Sequence, residues 1–369
     1  MLTGLQPLRW TMFAMASIVW ASCSPSASHT NVTKAAIVRH VSPHYAHGFD
    51  WNVLADSTYL ITLFNLESPG DTLQVIHWKP RRIERIASLS TTHIPFIHAL
   101  GKMNILKGVG FADRTLDVVA KELFNQGELV NLTTGNELEP EVVFAINPEL
   151  LFVYPFGGKS YDKFLSNGIG CIQVSEYLEV HPLGRAEWIR LFGCLLGEQE
   201  RADSIFRSIE EPYLKLRDSL AASVTIRPTV FAGSMDGDRW AVPSANSYLA
   251  TLMRDAGGSY IFNDTSATGN LVLPFESFYA AASKAAFWGK IIYETAPTSA
   301  DVITQGDERL RALPAFRDKH VFVCNAMQKD YHGQALLEPA RMLQDLHNIF
   351  SYNDSITSPY YFHCWAHYD

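Results

Sequence analysis

The sequence predicts an α/β protein of two lobes, each built on a mainly parallel sheet, joined by one long rigid helix. Three observations predict it. At 369 residues the chain has room for two domains of roughly 100–200 residues each. Short apolar strands alternate with amphipathic helices on both sides of the middle, the order that builds open parallel sheets. Between those two runs, residues 183–222 keep a 3.6-residue apolar period with no strand signal. The expected division is residues 37–182 for a first lobe with an extra β-hairpin, 183–222 for the linking helix and 223–369 for a second lobe.

The elements follow in order. Residues 37–79 alternate apolar and polar side chains, and Tyr59-Leu60-Ile61-Thr62-Leu63 and Leu73-Gln74-Val75-Ile76-His77-Trp78 flank Ser68-Pro69-Gly70-Asp71. Pro-Gly supplies turn dihedrals between two period-2 runs, so a hairpin is expected. Arg85-Ile86-Ala87-Ser88-Leu89-Ser90 reads as a short buried strand, followed by a helix over 91–100 that ends at Gly101. The unit recurs: a helix over 141–146 stops at Asn147-Pro148, because proline lacks the N–H and restricts its predecessor. Strands over 149–154 and 170–174 come next. In the linking helix Trp188, Phe192, Leu195, Ala202, Ile205, Ile209, Leu216 and Leu220 step mostly by threes and fours, and Pro212 is expected to kink or divide it. The second lobe offers a strand over 229–232, helices over 247–256 and 276–283, and a strand over 320–323.

Composition narrows the class of function. With 47% hydrophobic and 18% charged residues, the chain is neither disordered nor a multi-span membrane protein. A net charge of −8 without a dense Lys/Arg stripe argues against nucleic acid as a partner, and Lys79-Pro80-Arg81-Arg82 reads as a solvated turn. Arg9 precedes an apolar run over 10–21 that is too short to span a bilayer comfortably, the pattern of an export signal. It closes on Val19-Trp20-Ala21-Ser22-Cys23, which looks like a bacterial lipobox with Trp20 in place of the usual leucine. A signal peptide over 1–23, acylation of Cys23, a Ser/Ala/Pro-rich tether over 24–36 and membrane contact through the lipid alone are therefore expected. Cys171, Cys194, Cys324 and Cys364 are too scattered for a zinc knuckle or a CxxC pair; small buried hydrophobes are expected, with any pairing left open.

Several stretches carry a family resemblance: residues 85–90 with Ala99-Leu100-Gly101, residues 141–153, Asp255-Ala256-Gly257-Gly258-Ser259-Tyr260-Ile261-Phe262, and His181-Pro182-Leu183-Gly184-Arg185-Ala186-Glu187-Trp188-Ile189. In this order and spacing they resemble the periplasmic binding proteins of iron-siderophore, haem and cobalamin ABC importers, the last stretch being similar to Bacteroidetes-type members. The resemblance implies two α/β lobes on a rigid backbone helix and a monomer without catalysis or resident cofactor. Its ligand is a metal chelate (ferric siderophore, haem or cobalamin), and its partners are the permease subunits of an importer. It also implies docking through one surface glutamate per lobe, at Glu141 and Glu276, with Glu139 the alternate for the first. A carboxylate at a helix start is stabilised by the dipole and offers arginine a bidentate face, whereas the competing reading is an ordinary first-turn acid.

Open α/β sheets bind beyond the carboxyl ends of their strands, which selects the ligand candidates. In the first lobe these are Ser90, Thr91, Thr92, Phe111, Tyr154 and Phe156; in the second, Ser234, Met235, Arg239 and Trp240. Trp240 leads because it sits in what reads as a polar loop, Asp236-Gly237-Asp238-Arg239-Trp240, although core packing competes for any aromatic. His332, in Asp330-Tyr331-His332-Gly333, is a loop candidate, and His93 either lines the cleft or is a satisfied core histidine. His40, His44 and His47 lie close together but lack a ligand frame such as HExxH, so no metal site is expected. Gly157-Gly158-Lys159-Ser160 lacks the earlier glycine of a phosphate loop, Gly108-Val109-Gly110 lacks the third glycine of a dinucleotide fingerprint, and no GxSxG elbow occurs. A chelatase-like metallo-enzyme and a surface scavenger that never meets a permease stand as the alternatives.

Overall fold

The computed structural model describes residues 36–155, 160–263, 269–352 and 359–365. The export signal, Cys23, the tether up to residue 35 and Phe156 lie outside the described residues.

The first lobe carries five parallel strands in the order Gly170–Gln173, Leu150–Val153, Ile86–Ser88, Leu106–Val109, Val130–Asn131. Ile86–Ser88 and Leu150–Val153 are buried along their whole length, as strands covered on both faces must be. Asn147 takes the left-handed conformation that closes the helix Pro140–Ile146, where the Asn-Pro pair predicts the stop. The second lobe repeats the plan with Ser259–Tyr260, Thr229–Ala232, Phe287–Ile292 and Val321–Asn325 in parallel, and His363–Cys364 added antiparallel. Cys171, Cys194 and Cys324 are buried as free thiols, and Cys364 is half-buried.

Four features depart from the expectations. The hairpin belongs to a four-stranded antiparallel sheet, Ile37–Val41, Phe49–Leu54, Tyr59–Phe64 and Thr72–Trp78. The linking segment is three helices, Pro182–Glu187, Ile189–Leu196 and Gln199–Ser223, because Gly197 adopts φ 72° and caps the second. Pro212 does not divide the 25-residue helix Gln199–Ser223. The carbonyl it leaves without an N–H, four residues back, belongs to exposed Ser208, where water can take the bond. Finally, Phe287–Ile292 is a central strand although Lys290 interrupts its apolar run. Lys290 is 3% exposed and its Nζ donates to the Ile303 carbonyl (2.6 Å) and to Gln305 Oε1 (3.0 Å), while burial pushes its pKa down to about 7.

Two buried carboxylates tie the antiparallel sheet to the linking helices. Glu187, fully buried, accepts the backbone N–H of His44 (2.9 Å), Tyr45 (2.8 Å) and Ala46 (3.0 Å) and the Arg190 guanidinium (3.0 Å). Glu179 accepts the N–H of His47 (2.9 Å) and Gly48 (2.9 Å) and the Trp188 indole N–H (3.0 Å). Charges this far from water persist only when such donors surround them. The approach is close enough to demand glycine on both sides. A Cβ on Gly48 would lie 2.4 Å from the Trp188 ring, and one on Gly184 would lie 2.8 Å from the Tyr45 carbonyl oxygen. On the outer side, Gln74 stands in for a further strand against the first lobe's edge: its Nε2 donates to the Cys171 carbonyl (2.7 Å) and its Oε1 accepts from Gln173 N (3.0 Å).

Two predictions follow from these contacts. Glu187→Ala leaves the Arg190 guanidinium and three backbone N–H groups, that of Ala46 buried and those of His44 and Tyr45 partly so, without their acceptor and should cost about 3–5 kcal/mol in chemical denaturation, against about 1 kcal/mol for Tyr45→Phe, which loses only the phenol bond to Glu210. His363, on the last strand, has its pKa lowered to about 4 by burial. Its contribution is complete above the unfolded value of about 6.5 and is lost as pH falls towards the folded one, so His363→Gln should flatten the fall of stability between those limits.

Candidate functional site

A pocket of about 370 Å³ opens at the carboxyl ends of the second lobe's strands. Ser234 follows the strand Thr229–Ala232, Tyr293 follows Phe287–Ile292, and Tyr331 and His332 come from the loop after Val321–Asn325. Tyr248, from the helix Tyr248–Asp255, and Arg185, from the first linking helix, complete the wall. The rule that open sheets bind beyond their strand ends thus gathers residues that are distant in sequence.

The wall is largely aromatic with a few fixed polar groups. The Tyr293 hydroxyl and His332 Nε2 are 2.6 Å apart, and their rings lie within 8° of parallel. Burial, and then the charge of Arg185, push the His332 pKa down, so the imidazole is neutral at pH 7 and the phenol, whose own pKa burial raises, is the donor. Arg185 is held on three sides. Its Nε donates to the Glu179 carbonyl (3.2 Å), its Nη2 to the Tyr177 carbonyl (2.6 Å), and its guanidinium carbon lies 4.0 Å from the centre of the Tyr248 ring. Tyr248 is itself fixed by its hydroxyl, which donates to Met342 Sδ at 3.1 Å.

The candidates named from sequence divide into three groups. Ser234 and His332 line this pocket. Thr91, Thr92, Phe111 and Tyr154 sit half-buried at the first lobe's strand ends and do not line it. The Thr92 hydroxyl is already engaged by Ser90 Oγ (2.8 Å) and by Glu176. Phe111 is held at φ 60° with the Arg114 guanidinium 4.9 Å from its ring. Trp240 and Arg239 are corrections. The stretch read as a loop is a hairpin, Ser234–Asp236 with Arg239–Pro243, and strand alternation turns Arg239 to solvent and Trp240 inward. Trp240 is fully buried, stacked on Phe278 at 3.8 Å with Trp288 tilted against it at 5.8 Å, and Arg239 donates to the Val272 carbonyl (3.0 Å) across the small sheet.

His93 is a core histidine: its Nδ1 lies 2.8 Å from Ser88 Oγ, and its Nε2 lies 3.6 Å from Glu176, each of the two residues 1% exposed. Burial raises the Glu176 pKa, but His93, Thr92 and Arg185 outweigh it and leave the carboxyl below its ordinary range. Glu141 and Glu276 are exposed in the first turns of Pro140–Ile146 and Phe275–Ala282, and neither forms an ion pair among the described residues. Arg185, Tyr248 and Tyr293 are pocket residues that the sequence reading misses. Tyr293 becomes legible once Phe287–Ile292 is known to be a strand, and Arg185 stands out only as a cation among buried neighbours.

Two parallel-sheet lobes on a helical strut, with a pocket at the strand ends beside that strut, define a two-lobed ligand-binding protein. Solved structures share the fold. The periplasmic haem-binding protein of Pseudomonas aeruginosa superposes with a TM-score of 0.60 at 17% identity, over 76% of this chain and 97% of that one. The periplasmic vitamin B12 binding protein of Vibrio cholerae gives a TM-score of 0.52 at 17% identity, over 74% and 98%. An uncharacterized lipoprotein of Methanocaldococcus jannaschii is 25% identical over 332 residues, 84% of this chain and 77% of its own length. The family model for periplasmic binding proteins matches residues 86–327, and the chain belongs to that family. Among the described residues no helix is long and apolar enough to cross a membrane.

The burial of Trp240 sets a stability test apart from any binding test. Trp240→Ala should cost about 3–5 kcal/mol in denaturant unfolding, the range for a core tryptophan, whereas Arg239→Ala should stay within about 0.5 kcal/mol.

Proposed function

We propose that this protein is an exported, lipid-anchored carrier that captures a ferric siderophore, haem or cobalamin-type chelate between its lobes and delivers it to the permease of an ABC importer. The observation that carries the reading is the pocket itself, in which three strand ends and the strut converge tyrosines, a histidine and an arginine on one concave, largely apolar site. Family membership supports carriage over catalysis, and the haem- and vitamin B12-binding proteins of like fold support the ligand class. The His93–Glu176 pair, the kind of His/carboxylate couple a chelatase would use, is walled off from any guest by burial. Acylation at Cys23 fits the lipoprotein relative, and a monomer suffices because one chain supplies the whole pocket wall.

Delivery is assigned to Glu141 and Glu276. Both sit in the first turns of helices that lead into parallel strands, which supports a position towards the strand carboxyl edges, where a permease covering the ligand mouth would meet them. Titration of the intact chain with haem, cobalamin and ferric siderophores should give saturable binding of one of them with a Kd of about 1 μM or below; failure of all three would end the reading. Glu141→Lys with Glu276→Lys should leave that affinity unchanged and abolish uptake in cells. Unchanged uptake would replace the carrier by a scavenger that does not dock.

A further inference from the structure

Arg185 is a cation that forms no ion pair among the described residues. Among the described residues no Asp or Glu lines the pocket, and the chain as a whole carries a net charge of −8, so a guanidinium in this wall stands out chemically. Glu176 interacts with it across space, but that carboxylate is bound to Thr92 and set against His93. Arginine offers five N–H donors in a rigid fork. Two carbonyls take Nε and one bond from Nη2, the Tyr248 ring covers one face, and Nη1 makes no hydrogen bond among the described residues. The fork is therefore held in place before any ligand arrives, with one edge unused. Around it Ser234, Ser247 and Asn270 supply neutral polar groups, and the remaining wall is aromatic or aliphatic. A pre-set guanidinium in a partly desolvated, acid-free pocket fits a carboxylate or similar oxyanion with paired charge-assisted bonds.

We infer that Arg185 is the anion-recognition residue of the pocket, so that the cargo is a chelate bearing an anionic group, above all a carboxylate. The inference rests on the carrier reading and narrows it. Haem, with its propionates, and anionic ferric catecholates meet the requirement best; cobalamin, whose peripheral side chains are neutral amides, offers only a phosphodiester, and neutral ferric hydroxamates offer no anion. Arg185 also joins the parts of the fold, since the carbonyls it bonds belong to the end of the first lobe and Tyr248 belongs to the second. An anion on its free edge is thereby held at the junction of the lobes.

The test pairs anionic and neutral probes on the intact chain: haem with its dimethyl ester, and a ferric tris-catecholate with a ferric tris-hydroxamate. Wild type should bind the anionic member of at least one pair about 10-fold tighter or more, the scale of a charge-assisted pair. Arg185→Gln should remove that preference by weakening the anionic member about 10-fold more than the neutral one, and Arg185→Lys, which keeps charge but loses the fork, should fall between. Equal binding of both members by wild type, a comparison that needs no variant to fold, would overturn the inference and leave the carrier reading standing. So would an Arg185→Gln protein that weakens both members by the same factor, the mark of a merely structural arginine. If wild type bound neither these probes nor cobalamin, the carrier reading would fall and the inference with it.

Discussion

The capture of the 44–48 backbone by Glu179 and Glu187 is the constraint on which the rest of the structure depends. Two carboxylates, 2% and 0% exposed, are neutralised by backbone N–H groups, an indole and a guanidinium, and none of these donors could be withdrawn without stranding a buried charge. The network fixes the start of the strut against the antiparallel sheet, and the sheet is in turn joined to the first lobe by Gln74. What would otherwise be a helix between two lobes becomes a braced element. Its bracing explains how a segment broken at Gly197 can still act as a rigid connector.

The brace also reaches the pocket. Glu179 binds the antiparallel sheet through its side chain and Arg185 through its carbonyl, so the residue that anchors the sheet also orients the guanidinium in the pocket wall. Carbonyl and ring contacts leave that side chain little rotamer freedom to lose on binding, which is how a pre-organised site gains affinity. The Tyr293–His332 pair is arranged on the same principle, each ring fixing the other at the mouth. The pocket is accordingly an aromatic and aliphatic wall on strand ends and strut, with its few polar groups fixed by contacts within the fold.

Much of this architecture was legible along the chain. Pro-Gly at 69–70, Asn-Pro at 147–148 and the apolar runs at 86–88, 150–153 and 229–232 announced their elements, because a turn, a stop or a buried strand is a local matter of dihedrals and period. Phe287–Ile292 escaped because Lys290 breaks its pattern, and Lys290 is tolerable only because Ile303 and Gln305 happen to lie beside it. Trp240 was misplaced for a related reason: Asp, Gly and Arg make a short polar turn look like an open loop, and only pairing to Asn270–Pro274 reveals which face of the strand turns inward. Ser234 was named by the strand-end rule and His332 as a loop candidate, and both line the pocket, whereas Arg185 and Tyr248 come from helices to which the strand-end rule does not apply.

Sequence by itself determined the two-lobed α/β plan, the place of the connector and the strand ends around which the pocket forms, since all of these are written in periodicity and in the residues that start and stop elements. Tertiary structure alone decided which side chains meet. Burial sent Trp240 and His93 into the core, and contacts between residues more than a hundred positions apart made acids that look like ordinary helix charges, Glu179 and Glu187, into the anchors of a sheet. The physical reason is range: hydrogen-bonded backbone geometry is set within a few residues, whereas the environment of a charge or an aromatic ring is set by whatever the fold packs against it.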